Sequence, residues 1–449
     1  MSDPVDLVFS SERWVSVYGV GHVGLSLIAV YLRHGLRVIG IDIDKNKLRS
    51  IREGKFRFSE KEIKEAIVKG LSDGRLVLTT DGIKASKESV IKVVTVPVFI
   101  DWITKEVSYE AIEDVSKKIA LGLKKGDLVI IESSAPPGTT EEVVKPILEG
   151  VSGLVVERDF YLAYSPERIY VGRAVKDIEE NYPKIVSGVG PRSLELVSKF
   201  YERIAKKGVI KLSTVKAAEF EKLAEGIYRD VNIALANELA LAAMRLGIDY
   251  YEVREAANSQ PYCHLHLPGP GVGGPCIPIY PYFMMVKVSS KGFRMELTRL
   301  ARRINEEMPR VVTSLVMRGV KKYGIDVKGC KLAILGLAFR GDVEDTRLSP
   351  AHEIIELLTK EGFKNIVVHD PLVKYDRKLS ELGVKLSNDL SEVLKDSDVV
   401  VVLTRHSAYR GLKVSELIKL SGREPLIVDA VSYLLNDVGY GKVVYLGRA

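Results

Sequence analysis

The tightest constraint in this chain is a short one. Gly19-Val-Gly-His-Val-Gly24 follows a run of buried-strand character at Arg13–Tyr18, opens an apolar helix at Val23–His34, and is succeeded by a second strand, Arg37–Asp42. Strand, glycine turn, helix and strand in that order make a β-α-β unit, the building block of a doubly wound parallel sheet. Gly19 permits the tight turn, Gly21 lets backbone approach a pyrophosphate, and Gly24 lets helix pack closely on strand. The helix start at His22 and Val23 offers free N–H groups and positive potential. Asp42 is placed to accept hydrogen bonds from an adenosine ribose, and its charge repels a 2′-phosphate. That favours NAD over NADP, with Lys45 and Lys47 close enough in sequence to weaken the preference. The competing reading, a glycine turn in a dinucleotide-free α/β domain, has to treat the coincidence of strand, turn, helix and acid as accidental.

Further buried-strand runs at Ile91–Val96, Leu128–Ile131, Phe160–Tyr164 and Ile185–Ser187 extend this pattern and place a first domain at residues 1–210. From Ser213 to Leu246 the composition turns to Ala, Leu and Glu with Gly226 as the one weak residue, which predicts a single long helix. A Pro/Gly-rich loop, Leu267–Pro278, interrupts the helical stretch that continues to about Tyr323. The strand pattern returns at Lys331–Leu335, Asn365–His369, Asp398–Thr404, Leu426–Asp429 and Lys442–Leu446. The expected fold is therefore α/β: two Rossmann-like doubly wound parallel-sheet domains, 1–210 and 326–449, joined by a central helical domain at 211–325.

Composition narrows the function. With 449 residues, 66 Lys+Arg against 59 Asp+Glu, 46% hydrophobic and 28% charged, the chain is outside the disordered, collagenous and disulfide-scaffold classes. The net charge of +7 is spread along the length, which suits small anionic ligands better than nucleic acid. No run of ~18 apolar residues occurs, and the start, Met1-Ser-Asp-Pro-Val-Asp, is acidic where a secretory segment is basic. A cytoplasmic protein without a membrane partner is expected. Cys263, Cys276 and Cys330 cannot all pair and lack metal-ligand spacing, so reduced thiols and no metal site are expected.

Two stretches carry chemistry. Glu132-Ser-Ser-Ala-Pro-Pro-Gly-Thr-Thr140 follows a strand at the carboxyl edge of the inferred sheet, where ligands bind; Thr139 and Thr140 are equally good helix N-caps. Cys276 sits in Gly273-Gly-Pro-Cys-Ile-Pro278, where glycines admit a substrate. A thiol there can add to an aldehyde, and oxidation of the thiohemiacetal gives a thioester that water hydrolyses to a carboxylate. Taken alone, a loop cysteine is more often structural.

Several separated motifs make nearly the whole chain similar to the UDP-glucose/GDP-mannose dehydrogenase family of nucleotide-sugar 6-dehydrogenases. They are Gly19–Gly24, Glu132–Thr140, Tyr164-Ser-Pro-Glu-Arg168, Glu221-Lys-Leu through Asn237-Glu238, Pro268–Pro278, Leu335-Gly-Leu-Ala-Phe-Arg340 and Asp345-Thr-Arg-Leu-Ser-Pro350. Arg229–Glu238 together with Pro268–Gly274 is most similar to the branch acting on UDP-N-acetylmannosamine or UDP-N-acetylglucosamine. The resemblance implies oxidation of a C6 alcohol to a carboxylate with two NAD per turnover, in the service of polysaccharide biosynthesis. It implies Cys276 as nucleophile, Lys222 steadying the oxyanion and Glu167 linked to thioester hydrolysis. Lys47, Ser134 and Arg347 fall beside the cofactor, and Arg168, Lys222, Gly226, Gly271, Gly273, Phe339 and Arg340 beside the substrate. It also implies a homodimer through the long helix and Asn237–Leu246. Lys222 could instead be a solvated helix residue paired with Glu219, and Glu167 a helix-terminal acid.

The departures from the family pattern point the other way. Gly226 stands where asparagine is usual one turn after the lysine. Tyr280 replaces an acid four positions after the cysteine, and a phenol with a pKa near about 10 is a poor base at neutral pH. Tyr262 and Val431 replace arginines, Arg340 replaces a lysine, Ser134 a threonine, and Val98-Phe99 a Thr-Pro pair. Losing arginines removes bidentate donors to phosphate. The alternative expectation is a member that binds NAD and nucleotide sugar as a regulatory or assembly subunit.

Overall fold

Branched apolar runs become the strands of two separate sheets. The computed structural model describes residues 3–56, 58, 60–102 and 104–448; Met1 and Ser2 of the acidic lead lie outside the described residues. The chain divides by packing into two units, Met1–Glu225 with Tyr282–Gly292, and Gly226–Pro281 with Phe293–Ala449. The helical middle of the chain is thus shared between two units, and the helix Val215–Leu246, 32 residues long, starts in one and ends in the other.

The first unit holds strands β1 (Trp14–Tyr18), β2 (Arg37–Ile41), β3 (Leu76–Thr79), β4 (Ser89–Val94), a small antiparallel pair β5 (Phe99–Ile100) and β6 (Val107–Ser108), then β7 (Leu128–Ile131), β8 (Tyr161–Tyr164), β9 (Lys184–Gly188) and β10 (Val209–Lys211). Its 8-stranded sheet runs β10-β9-β8-β7-β4-β1-β2-β3. The chain winds one way from β1 through β2 to β3 and the other way from β4 through β7 to β8, so the order reverses between β1 and β4. That crevice, at the carboxyl ends of the strands, is where such sheets bind ligands. The sheet is not wholly parallel as expected: β9 pairs antiparallel with β8. Otherwise parallel sheets commonly take an antiparallel strand toward one edge, and the local sequence of β9 carries no sign of strand direction. The sheet and the helix His22–Arg33 close over a core that includes Val15, Val17, Ile28, Tyr31, Ile91 and Ile130, all fully buried.

The second unit holds β11 (Lys331–Leu335), β12 (Asn365–His369), β13 (Lys385–Ser387), β14 (Val399–Val402), β15 (Leu426–Asp429) and β16 (Val443–Tyr445), in a 6-stranded, all-parallel sheet ordered β13-β12-β11-β14-β15-β16. Its order reverses between β11 and β14. A buried polar link ties the unit's long helices to the glycine-rich loop. Arg302 donates to Asp230 at 2.6 Å, Asn305 donates to Asp230, Asn237 donates to Asn305 at 3.0 Å, and the Gly269 N–H reaches Asn237 Oδ1 at 2.9 Å. Such a network favours one packing, although Asp230 Oδ2 and Arg302 Nε are buried in it without a hydrogen bond of their own. Among the described residues no helix is long and apolar enough to cross a membrane.

Candidate active site

In the first unit the fingerprint turn has the form its glycines require. Gly19 has φ +99°, a region costly for any residue with a side chain, and its N–H bonds the Ile41 carbonyl at 2.8 Å. A Cβ at Gly24 would stand 1.9 Å from the Gly19 carbonyl oxygen, so helix and strand meet here at backbone distance. A Cβ at Gly21 would meet nothing within 4 Å among the described residues, and no side-chain hydrogen bond caps the helix that begins at His22 and Val23. An open space over an uncapped helix N-terminus fits a pyrophosphate. The His22 ring stacks on Phe58 with centroids 4.6 Å apart. Asp42 Oδ2 accepts the Val20 N–H at 3.0 Å and the Lys47 ammonium at 2.8 Å. Asp42 is thereby fixed beside the turn, and Lys47 partly neutralises it, which bears on 2′-phosphate rejection.

The loop after β7 is built differently from the helix cap that Thr139 and Thr140 suggest. Thr139 Oγ1 donates to the Pro136 carbonyl, while the Thr140 N–H and hydroxyl both donate to Glu219 Oε1, at 2.8 and 2.7 Å. Glu219 Oε2 takes the Gly138 N–H. Glu219 is fully buried and burial pushes its pKa up to about 7. Its carboxylate is turned into this loop, away from the surface pairing with Lys222 that helix spacing alone would allow. Lys222 itself is half-buried, and Ser134 is half-buried behind Ser133, whose hydroxyl bonds the Val96 carbonyl at 2.6 Å.

Glu167 lies in a cluster that spacing did not reveal. Lys184, at the start of β9, donates to Glu167 Oε2 at 2.6 Å and to Glu132 Oε2 at 3.1 Å, and all three residues are buried. Tyr201 donates to the other Glu132 oxygen, and the Tyr31 hydroxyl lies 3.0 Å from that of Tyr201. Burial outweighs the pull of Lys184 and lifts Glu132 to about 7. Glu167 Oε1 takes the Arg168 N–H at 2.9 Å, so Glu167 is held at both oxygens rather than ending a helix in solvent. The Arg168 guanidinium faces Glu225 at 3.3 Å and Glu221 at 4.0 Å.

In the second unit Cys276 is exposed, on a turn whose carbonyl accepts the N–H groups of Ile279 and Tyr280, each at 3.0 Å. Cys263 and Cys330 are also free thiols. Two departures from the family pattern prove to be neighbours. A Cβ at Gly226 would stand 2.5 Å from Tyr280 Cδ2, so the ring of Tyr280 fills the space that a side chain at 226 would take. The loop glycines serve packing as much as access: a Cβ at Gly273 would meet the Leu348 carbonyl at 2.6 Å and Phe339 at 2.7 Å. Arg347 accepts the Gly274 N–H at its own carbonyl and gives its guanidinium to Asp345 at 2.5 Å.

Gly271, Phe339 and Arg340 line a cavity of about 200 Å³ in this unit, together with Pro350, Arg405 and Val431. It opens beyond the carboxyl ends of β11 and β14, where the strand order reverses. Tyr262 is 96% exposed and stands apart from the lining. The sequence singled out Glu132 only as the head of its loop, and Lys184 and Arg405 not at all. A lysine opening an otherwise apolar strand, and an arginine just past one, were the available signals.

The chain matches the UDP-glucose/GDP-mannose dehydrogenase family's NAD binding domain over residues 13–205, its central domain over 216–307 and its UDP binding domain over 333–436. It is 34% identical over 437 residues to the UDP-N-acetyl-D-mannosamine dehydrogenase of Pyrococcus horikoshii, covering 96% of this chain and 100% of that one. The solved structure of a UDP-D-ManNAc dehydrogenase from Pyrococcus horikoshii superimposes with TM-score 0.87 at 32% identity, over 97% of this chain and 99% of that one. A UDP-glucose dehydrogenase from Pyrobaculum islandicum gives TM-score 0.84 at 25% identity, over 97% and 98%.

Proposed function

Because this chain belongs to the UDP-glucose/GDP-mannose dehydrogenase family and is an NAD-dependent nucleotide-sugar dehydrogenase, we propose that it oxidises the C6 hydroxymethyl of a UDP-N-acetylhexosamine, UDP-N-acetylmannosamine first, to the uronate. The observation that carries the choice of sugar is the end-to-end 34% identity to a UDP-N-acetyl-D-mannosamine dehydrogenase. In cellular terms it acts in the cytoplasm as a homodimer that supplies uronate precursors for polysaccharide synthesis, with residues 1–210 holding NAD, 211–325 the dimer contact and catalytic loop, and 326–449 the nucleotide.

Gly19, Gly21, Gly24, the N–H groups at His22 and Val23, and Asp42 hold NAD, with Lys47, Ser134 and Arg347 beside it. The cofactor, when bound, accepts one hydride in each of two oxidations. Cys276 Sγ adds to the C6 aldehyde left by the first oxidation, and the thiol proton ends on the new hydroxyl. Loss of a hydride and of that proton leaves a thioester, and water cleaves the C–S bond to give carboxylate and thiol. The sum is alcohol, two NAD⁺ and water to carboxylate, two NADH and three protons. Lys222 stabilises the oxyanions formed at C6. Glu167, held by Lys184, steers the water, and the raised pKa of Glu132 in the same cluster suits it to receive a proton near neutrality. Arg168, Gly226, Gly271, Gly273, Phe339 and Arg340 shape the sugar and nucleotide sites.

A second reading, binding without turnover, draws on one contact: the Tyr280 ring stands against Gly226, where the family pattern puts an amide and an acid. NADH formation separates the two. UDP-N-acetylmannosamine should yield two NADH per sugar, abolished in Cys276→Ser. Tight binding of NAD and UDP-sugar with no NADH from UDP-N-acetylmannosamine, UDP-N-acetylglucosamine, UDP-glucose or GDP-mannose would favour the second reading. One NADH per sugar would remove the thioester.

A further inference from the structure

The cavity at the carboxyl ends of β11 and β14 contains a cation whose surroundings are unusual. Arg405 follows β14 by three residues, and its Nε donates to the Val431 carbonyl at 2.8 Å, with Nη2 bonded to the same oxygen. Its guanidinium lies 6.0 Å from the Tyr251 ring centroid. No carboxylate of the described residues lies within 4.0 Å of it. The nearest buried acid in the sequence around Val431 is Asp429, whose oxygens take the N–H groups of Val431, Tyr433 and Leu434 at 3.0, 2.6 and 2.8 Å. A half-buried guanidinium held by a neutral carbonyl and a tyrosine, with the attraction of buried Asp429 acting only from beyond ion-pair distance, is a costly arrangement. Burial accordingly pulls the pKa of Arg405 below its ordinary value.

The one other charged side chain among the described lining residues, Arg340, is also basic. The helix Pro350–Lys360 begins at the cavity wall, with Ser349 capping the Ala351 N–H at 3.3 Å. The parallel register of β14 and β15 pairs Val402 with Asp429, so residues 405 and 431 emerge from adjacent strands side by side. The side chain at 431 is apolar and its carbonyl serves as the tether that aims the guanidinium. We propose that Arg405 is a substrate-recognising residue that, with Arg340, takes the diphosphate of the nucleotide sugar in this cavity. The proposal rests on the nucleotide-sugar reading above and adds a specificity-determining residue to it. A planar fork with donors left over after the tether suits a diphosphate better than a ribose or a base.

The test is calorimetric titration of the full-length protein with UDP and, separately, with uridine, for the parent, Arg405→Met and Arg405→Lys, with NAD affinity as a control on the other unit. The Met variant should lose UDP affinity about tenfold or more, while uridine and NAD binding hold within about twofold. The Lys variant should fall between. If Arg405→Met does not fold, Arg405→Lys carries the test, since it keeps the charge and loses the fork. UDP affinity unchanged within about twofold in a folded variant, with the parent binding UDP, overturns this proposal alone. A parent that does not bind UDP overturns the nucleotide-sugar reading and this proposal with it.

Discussion

The two parallel sheets of this protein begin in the same way and are used differently. Gly19 after β1 and Gly336 after β11 both have φ +99°, and each donates its N–H to the end of the neighbouring strand, at Ile41 and His369, at 2.8 Å. Each turn is buttressed by a threonine from the strand across the crevice: Thr95 Oγ1 reaches the Gly19 carbonyl and Thr404 Oγ1 the Ala338 carbonyl, both at 2.8 Å. A second glycine closes each turn against backbone: a Cβ would lie 1.9 Å from an oxygen at Gly24 and 2.0 Å at Gly341. The difference is in the middle and at the acid. Gly21, over open space, corresponds to buried Ala338. Asp42 holds one turn N–H and a lysine that is 41% exposed, whereas Asp370 after β12 takes the N–H groups of Leu337 and Ala338, both at 2.9 Å, and fully buried His406 at 3.1 Å. The second acid is consumed in shaping its own loop. One turn geometry thus serves a dinucleotide where its centre is bare and its acid is near solvent. In the second sheet, whose residues 333–436 match the family's UDP binding domain, both are filled and the helix starts only at Pro350.

The sharpest way to break this pairing is at the glycines. Gly24→Ala drives a methyl onto the Gly19 carbonyl, and the backbone must shift. Overpacking of this kind costs about 1–3 kcal/mol or more, and here it falls on the helix end that faces the pyrophosphate. NAD affinity should drop at least about tenfold by fluorescence titration. Gly336→Ala, clashing with Thr404 and strained at positive φ, should destabilise the second unit by a similar amount and leave NAD affinity unchanged. If Gly336→Ala also abolishes NAD binding, the two turns are not independent.

The acids should part in the same sense, by less. Asp370→Asn places an NH₂ among donors and should cost about 2–3 kcal/mol, seen as lost hydrogen-exchange protection in peptides of β11 and β12. Asp42→Asn should spare protection, weaken NAD by about tenfold and narrow the gap to NADP. Equal effects of the two on NAD would defeat the distinction.

How much of this could be read from the chain depends on how far apart the partners are. Gly19, Gly24 and Asp42 lie within one β-α-β unit, so spacing sufficed. Asp370 and Leu337 are separated by 33 residues, Lys184 and Glu132 by 52, and neither pair has a local signature. Sheet order followed from apolar runs, but the reversal of β9 against β8 did not, since a strand reads the same in either direction. Gly226 and Tyr280 looked like two separate losses and are one contact. The value of Val431 was likewise invisible without Arg405, because its part is played by a carbonyl that every residue type possesses.

Acidity should separate the units as well. Asp370 is held below its ordinary 3.8 by His406 and backbone N–H groups against the cost of burial, so its stabilising contribution is present above that value and fades as pH falls beneath it. Glu132 behaves oppositely: raised from 4.5 to about 7 by burial, it contributes stability that is full below 4.5 and lost as pH rises through about 7. Glu219, also raised to about 7, acts in the same direction. Hydrogen exchange in the first unit should therefore slow as pH is lowered from 8 to 5, after correction for intrinsic rates. The second unit should do the opposite and loosen as pH falls past about 6.5, because burial holds His352 and His369 below that ordinary value and favours their neutral forms, with Asp370 adding to the loss at lower pH. Glu132→Gln should shrink the first trend; an unaltered trend would place its origin elsewhere.

The smallest effect is expected at Lys47, and it bears most directly on what makes the first crevice selective. Its ammonium lies 2.8 Å from Asp42 but is 41% exposed, so the pair is worth about 0–1 kcal/mol. If Asp42 rejects a 2′-phosphate by charge, Lys47 shields that charge, and Lys47→Met should sharpen the preference for NAD by a fewfold, about 2 to 4, with the larger effect at low salt. The turn itself is held by the bond from Val20 N–H to Asp42, which this substitution leaves in place. Competition titrations with NAD and NADP at two ionic strengths read the ratio. A Lys47→Met variant that instead loses NAD affinity outright would make the lysine a cofactor ligand in its own right, and the acid alone would no longer account for the contrast between the two sheets.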